Sequence, residues 1–385
     1  MRNRYMVIYL LSLLFFATSC VEEFEAEIPE EEENVLVVEG NILSNSSSTL
    51  YISHSSSFKR MNQHPIENAK VTLMGSDGEK EDFGGGFNGQ YRLGRVQLKS
   101  DVEYWIEIKV GKYTYESEHQ KPLDAPQIDT LKYQQVRADK KVEILVSTVP
   151  SANAAEMVYT SWDFLEAWEI HTPNCAEYEW GSWDTGETGY IKLNKTQFTN
   201  VGWKTQNSLS SVTFSSKGKV QNEVVHTIDH TDDRLQTCYF IRVKNSAISR
   251  AEYEYYATRN QLSSNMGGLF SPMPAELPTN IRCINGSMKA VGFVGIRGKV
   301  NEAEIHILKK NVYYESTHKK VSPPDELFEG KSPLQLWNEG YRILFYDPND
   351  HRVRWTYAWW VDCRVAPWFA SLSKPPFWND NWTKE

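Results

Sequence analysis

The residues of this chain that could do chemistry are few and scattered. The densest group is "HTIDHTDD", which holds His226, Asp229, His230, Asp232 and Asp233. On a helix, His226 and His230 would share a face and offer two nitrogens to a metal. No Glu follows the first His as in HExxH, and the preceding "NEVV" has the character of a strand running into a turn. A polar strand end is therefore expected, with His226 and His230 as weak metal candidates only. "GSDGEKED" and "YDPND" are rich in acid but lack the alternating oxygen ligands and closing Glu of a calcium loop, so both read as turns. "GGGFNG" lacks the Lys-Ser/Thr of a phosphate loop, and no GxSxG marks a nucleophile. No cofactor is implied. Paired carboxylates that cleave glycosides meet in space rather than in sequence, which keeps a glycan or peptide hydrolase as one alternative.

Cysteines offer a second chemistry. Arg2 and Arg4, the apolar run from Met6 to Phe16, and the small residues Ala17, Thr18 and Ser19 have the layout of a secretory signal over residues 1–19. The run is shorter than the roughly 20 apolar residues that span a bilayer. Ala17-Thr18-Ser19-Cys20 resembles a bacterial lipobox, in which the Cys thiol is acylated. Acyl chains contribute about 0.8 kcal/mol per buried CH₂, enough for several together to hold a protein on a membrane. Glu22, Glu23, Glu25, Glu27 and Glu30 to Glu33 follow, so residues 20–33 read as an extended acidic tether. Acid directly after such a Cys resembles the signal that sends Bacteroidota lipoproteins to the outer face of the outer membrane. The other four cysteines, Cys175, Cys238, Cys283 and Cys363, are an even number in an exported chain. They predict two disulfides, in any of three connectivities. With no CxxC, a zinc or redox site is not expected.

The elements that must position these groups are mostly strands. The chain has 385 residues, a net charge of -9, 13 Trp and 20 Tyr. No basic stripe is present, which argues against nucleic acid, and aromatic residues favour strands. From residue 34 the segments "VLVVEGNI", "STLYISHSS", "AKVTLMGSDG", "GQYRLG" and "VEYWIEIKVGKYTYESE" are short and bounded by turn residues. In the last, Tyr104, Ile106, Ile108 and Val110 share one face, and Gly111-Lys112 fits a two-residue hairpin loop. Residues 34–121 are thus expected to form a β-sandwich, and their order resembles transthyretin-like or carboxypeptidase-regulatory-like domains, which serve as spacers and docking modules. Pro122 and Pro126 punctuate a linker. Residues 122–385 read as a second, larger β-rich domain through "KKVEILVSTV", "EMVYTSWDFLEAWEI", "EVVHTI", "TCYFIRVKNS" and "EAEIHILKKNVYY". "SRAEYEYYATRNQLSSN" does not alternate and reads as a helix. The C-terminal end holds six Trp between Trp355 and Trp382. Exposed, they would stack on sugars or seat a partner; buried, they are core.

Read in order, the lipobox with its acids, "VLVVEGNI", "AKVTLMGSDG", "GQYRL", "YTYES", "PQIDTL", "CYFIRVKNSAISRAEYEYY", "GGLFSPMPAELPTNI", "AVGFVGI" and "KPPFW" resemble the Bacteroidota lipoproteins grouped as domain of unknown function 4249. The resemblance implies an outer-membrane, lipid-anchored, surface-facing protein that works beside a TonB-dependent β-barrel transporter as a non-catalytic accessory. It implies no active site. The expected partner-binding residues are Leu269, Phe270, Pro272, Met273 and Pro274 of the proline-rich loop, with Trp368, Phe377 and Trp378 near the end. A carbohydrate-binding surface lipoprotein, with a glycan or peptide ligand, is the other alternative.

Overall fold

The computed structural model describes residues 35–55, 64–172, 175–182, 186–193, 200–265, 277–316, 328–357 and 370–382. The chain is mainly β, as its alternating segments require. Nine strands open it: β1 (Leu36–Leu43), β2 (Ser46–His54), β3 (His64–Pro65), β4 (Lys70–Gly75), β5 (Lys80–Asp82), β6 (Gly84–Gly85), β7 (Gln90–Val96), β8 (Tyr104–Val110) and β9 (Tyr113–Ser117). They form two sheets around a core that includes Leu36, Val38, Ile52, Leu73, Tyr91, Ile106 and Ile108. Tyr104, Ile106 and Ile108 are the buried face of β8. Gly111, at φ 56, begins the tight loop into β9, where a left-handed backbone suits glycine.

Nine more strands follow, most of them in a second sandwich, while β13 and β14 pair only with each other: β10 (Ile128–Gln135), β11 (Val142–Thr148), β12 (Met157–His171), β13 (Tyr178–Ser182), β14 (Thr188–Lys192), β15 (Val201–Asn207), β16 (Val212–Lys217), β17 (Glu223–Ile228) and β18 (Cys238–Ala247). The sheet β10-β11-β17 faces one centred on β12, which pairs with β18 on one edge and with both β15 and β16 on the other. Trp162, Trp168, Tyr239, Ile241 and Val146 fill the space between. The helix α1 (Arg250–Asn265) comes next, where the sequence lost its alternation.

The chain then returns to where it began. β19 (Ile281–Cys283) pairs with β9, and β20 (Ala290–Arg297) lies parallel to β1 over its whole length, from Leu36 opposite Ala290 to Leu43 opposite Arg297. The sheets of the first sandwich are therefore β20-β1-β2-β7-β6 and β19-β9-β8-β4-β5. A boundary at residue 121 separates these strands from two of their partners: the first sandwich is discontinuous and the second is inserted into it. Gly292 makes the splice feasible, because a Cβ there would stand 1.9 Å from the Val38 carbonyl oxygen. β21 (Asn301–Leu308) goes back to the second sandwich, beside β18. Last come α2 (Pro333–Asn338), capped by Ser332, and the hairpin of β22 (Tyr341–Tyr346) and β23 (Val353–Tyr357).

Candidate functional site

Alternation along β12 turns Trp162, Phe164, Glu166, Trp168 and Ile170 toward the inner face, so one carboxylate is carried into an apolar layer. Glu166 is 1% exposed. Arg234 Nη2 donates to its Oε1 at 3.0 Å and the Tyr239 hydroxyl to its Oε2 at 2.9 Å, while His226 Nε2 stands 3.3 Å from Oε2. Arg234 is itself fixed by Asp232 at 2.7 Å and Gln206 at 3.2 Å, with its guanidinium 4.8 Å over the Trp168 ring. Burial pushes the Glu166 carboxyl up, but His226, Arg234 and Tyr239 together outweigh it and hold it below the usual carboxylate range. Burial and the neighbouring Glu166 raise the Tyr239 hydroxyl well above its ordinary value.

This centre absorbs much of "HTIDHTDD". His226 lies in β17, its ring 4.5 Å from Phe164. His230 falls in the following turn, 3.3 Å from Asp229, with its ring tilted against that of Tyr313 at 5.7 Å. Asp232 caps the short turn Asp233–Leu235 by accepting from the Arg234 N–H. The two histidines face different partners, and no group of three or more metal-ligating side chains occurs among the described residues.

A second buried pair joins α1 to the first sandwich. Glu252 is 1% exposed and Arg297, the last residue of β20, is 2% exposed. Arg297 donates to Glu252 Oε1 through Nη2 at 2.6 Å and Nε at 3.1 Å. Turned with its nitrogen toward Glu252, the Asn41 amide bridges the two, at 3.2 Å from Oε1 and 3.1 Å from Arg297 Nη2. Here burial wins over the Arg297 charge, and the Glu252 carboxyl is raised. Tyr255 packs on Phe293 of β20 and Tyr253 on Tyr159 of β12, so the helix touches both sandwiches.

Of the four cysteines expected to form two disulfides, Cys175 is disulfide-bonded, but two others do not pair. Cys238 and Cys283 are free thiols. Cys238 opens β18 on the outer face of the β12 sheet, where burial, with Glu169 adding to it, pushes its thiol up to about 12. Cys283 belongs to the first sandwich, beside Gly286 and Tyr113. Alternation and the return of the chain put them in separate cores, so the two-disulfide expectation is corrected. No disulfide joins two described residues; Cys363 lies outside them, as do Cys20, Leu269, Phe270, Pro272, Met273, Pro274 and Trp368.

Phe377 and Trp378 are turned inward. Trp378 is 7% exposed and packs with Phe377 and Trp382 on Ala167, Cys238, Phe240 and Leu308, the outer face of the β12 sheet. The Trp382 ring stacks on Phe240 at 5.2 Å and on His306 at 5.1 Å. These two expected partner-binding residues therefore serve as a plug over the sheet. A separate, half-buried aromatic cluster forms between the β13-β14 and β22-β23 hairpins and α2, where Tyr190 stacks on Tyr346 at 4.2 Å and Arg342 lies 4.0 Å over Trp337 of α2.

Beside the start of β1 is a groove of about 550 Å³ walled by Val35, Ile281, Arg282, Cys283, Met288 and Lys289. Sequence reading missed Glu166, Arg234, Glu252, Arg297 and this groove. An acid at an apolar phase of "SWDFLEAWEI" and an arginine ending "GFVGIR" were the available signals.

A family model described as a domain of unknown function, DUF4249, matches residues 21–303, ending inside β21. No curated protein matches the chain. Among solved structures, a two fibronectin type-III domain segment from chicken tenascin is 9% identical over 55% of this chain and 88% of that one. Its TM-score of 0.16 carries no argument.

Proposed function

We propose, on the premise that the chain belongs to the DUF4249 family, that it works as a lipid-anchored, non-catalytic accessory of a TonB-dependent outer-membrane transporter, held at the cell surface through Cys20. The observation that carries this reading is how the acidic tether enters the fold. It leads into β1, an interior strand bonded to β2 on one side and β20 on the other. β20 ends in Arg297, which clamps α1, and α1 packs on β12 and β16 of the second sandwich. A membrane attachment at the tether is thus linked to both halves of the body, which suits a subunit that presents a binding surface at fixed orientation. Glu166 and Glu252 support the same reading, since each is committed to an internal pair.

The test is a mild-detergent purification of the natively produced protein from its outer membrane, with a Cys20→Ala control and mass spectrometry. A single β-barrel transporter at near-equal amounts, lost in the control, is the expected result. A protein that stays in the membrane yet comes out alone overturns the transporter role.

The aromatic hairpins favour a second reading, a carbohydrate-binding lipoprotein, because half-buried Tyr178, Trp180 and Tyr190 can present ring faces to a sugar. Glycan-array binding that Trp180→Ala abolishes would select it.

A further inference from the structure

We infer that a groove at the joint of the two sandwiches recognises an extended peptide of a partner protein, one that carries an apolar side chain next to a Lys or Arg. Three observations converge on this occupant, and none of them depends on the transporter reading.

The first is place and shape. The chain crosses from the first sandwich to the second at residues 123–127 and returns at 297–301. The two crossings are stitched together: the Gly298 N–H donates to the Leu123 carbonyl at 2.9 Å, and the Ala125 N–H to that of Lys299 at 2.8 Å. Beside this seam, the loop after β11 and the first residues of β12 and α1 enclose a groove of about 450 Å³. That is ample for a side chain and the backbone around it, and joints of this kind are where binding sites collect. Of the twelve large hydrophobic side chains exposed among the described residues, three meet here: Leu123 at 44%, Val149 at 42% and Met157 at 40%. Gathered in one concavity, they form a surface that gains by being covered.

The second is an open strand edge. β12 begins at Met157, but its ladder with β18 begins only at Thr160, opposite Ala247. One further bond follows, from the Ile248 N–H to the Tyr159 carbonyl at 3.1 Å, before the chain turns away into α1. Alternate residues of a strand direct their N–H and C=O to the same side, so Met157 aims both at the place β18 has left. An extended segment laid there would continue the ladder by one pair, which is how peptides add to sheet edges.

The third is charge. Asp124 and Glu156 stand on the wall. Asp124 accepts from the Lys299 N–H at 2.7 Å and Glu156 from the Ser151 hydroxyl at 3.2 Å, neutral donors that leave both charges in place. Arg250, the one cation of the lining, is held by Glu254 at 2.7 Å. Apolar walls with a negative rim suit a Lys or Arg, whose stem lies along Leu123 or Met157 while its head reaches a carboxylate.

Random heptapeptides displayed on phage, panned against the natively produced protein in phosphatidylcholine nanodiscs, test this, with empty nanodiscs as background. The expected consensus places an apolar residue beside Lys or Arg. Made as a free peptide, it should bind at least tenfold more weakly to the double variant Asp124→Asn, Glu156→Gln, and several-fold more weakly to Val149→Ser. Asp139→Asn, at the far end of the β10-β11 hairpin, should leave the affinity unchanged, and unfolding midpoints matching wild type confirm that the variants fold. No enrichment above empty nanodiscs, a consensus without a basic residue, or an affinity that both groove variants leave intact would each overturn the assignment.

Discussion

Glu166 in β12 and Glu252 in α1 are each 1% exposed and each meets an arginine, yet their carboxyls move in opposite directions. Glu166 uses both oxygens: Arg234 holds one, and Tyr239 and His226 hold the other. Arg297 brings Nε and Nη2 to a single oxygen of Glu252, which otherwise receives only the Asn41 amide, and Nη2 also donates to the Tyr256 hydroxyl. Burial costs the charged form of both groups, and the number and spread of partners decide which side wins. The centre inside the second sandwich spreads its carboxylate over three partners, whereas the one between helix and first sandwich rests on one cation and one amide.

The comparison breaks most visibly by removing one partner. Arg297→Met leaves Glu252 buried without its cation and should cost about 3–5 kcal/mol, read from urea unfolding. Adding Glu252→Leu should restore most of that, because the charge has gone from both sides. A single variant as stable as wild type would mean that the pair does not hold the helix.

A smaller effect is expected at the other centre. Glu166→Gln keeps a group that can accept from Arg234 and Tyr239, and Arg234 retains Asp232 at 2.7 Å. The loss should be about 1–3 kcal/mol. A cost above that of Arg297→Met would reverse the ranking of the two centres.

The smallest effect, and the one that sharpens the contrast best, is in pH. Glu166 is held low, so its contribution is present above the ordinary carboxylate value and is lost as pH falls through its folded value. Glu252 is raised, so the folded state holds its proton longer and stability declines as pH rises from the ordinary value toward the folded one. Each slope is limited to about 1.4 kcal/mol per pH unit. Unfolding midpoints measured across the acid range for wild type, Glu166→Gln and Glu252→Gln should give difference profiles of opposite sign. Profiles of the same sign would show that the two centres are alike.

Much of the first sandwich was legible because each strand carries its own evidence. Tyr104, Ile106 and Ile108 alternate with Trp105, Glu107 and Lys109, and the fold buries the first three. The hairpin at Gly111 and the helix at Arg250–Asn265 were equally local. The pairing of β1 with β20 was not legible, since a parallel ladder between distant segments leaves no mark in either one. The same long-range closure decided the fate of Cys238 and Cys283, whose spacing along the chain says nothing about which core each enters. Glu166 was visible in principle as an acid in the apolar phase of β12, but its partners come from β17, β18 and the turn between them. Phe377 and Trp378 were recognised as aromatic anchors; that they anchor the chain to itself depends on a sheet face exposed by Ala167 and Phe240.

The parallel pairing of β1 with β20 also dictates an order of events. Gly295 and Asn41, which touch across that ladder, are 254 residues apart. Contacts of such separation are slow to form, because the intervening chain must first be closed into a loop. During synthesis or export from the N-terminus, β1 must wait with one edge unpaired until the whole inserted sandwich and α1 have emerged. An unpaired edge of that kind is open to wrong partners. The chain therefore faces its greatest risk of aggregation midway through its own production, and a fragment ending before residue 290 would stay in that exposed state.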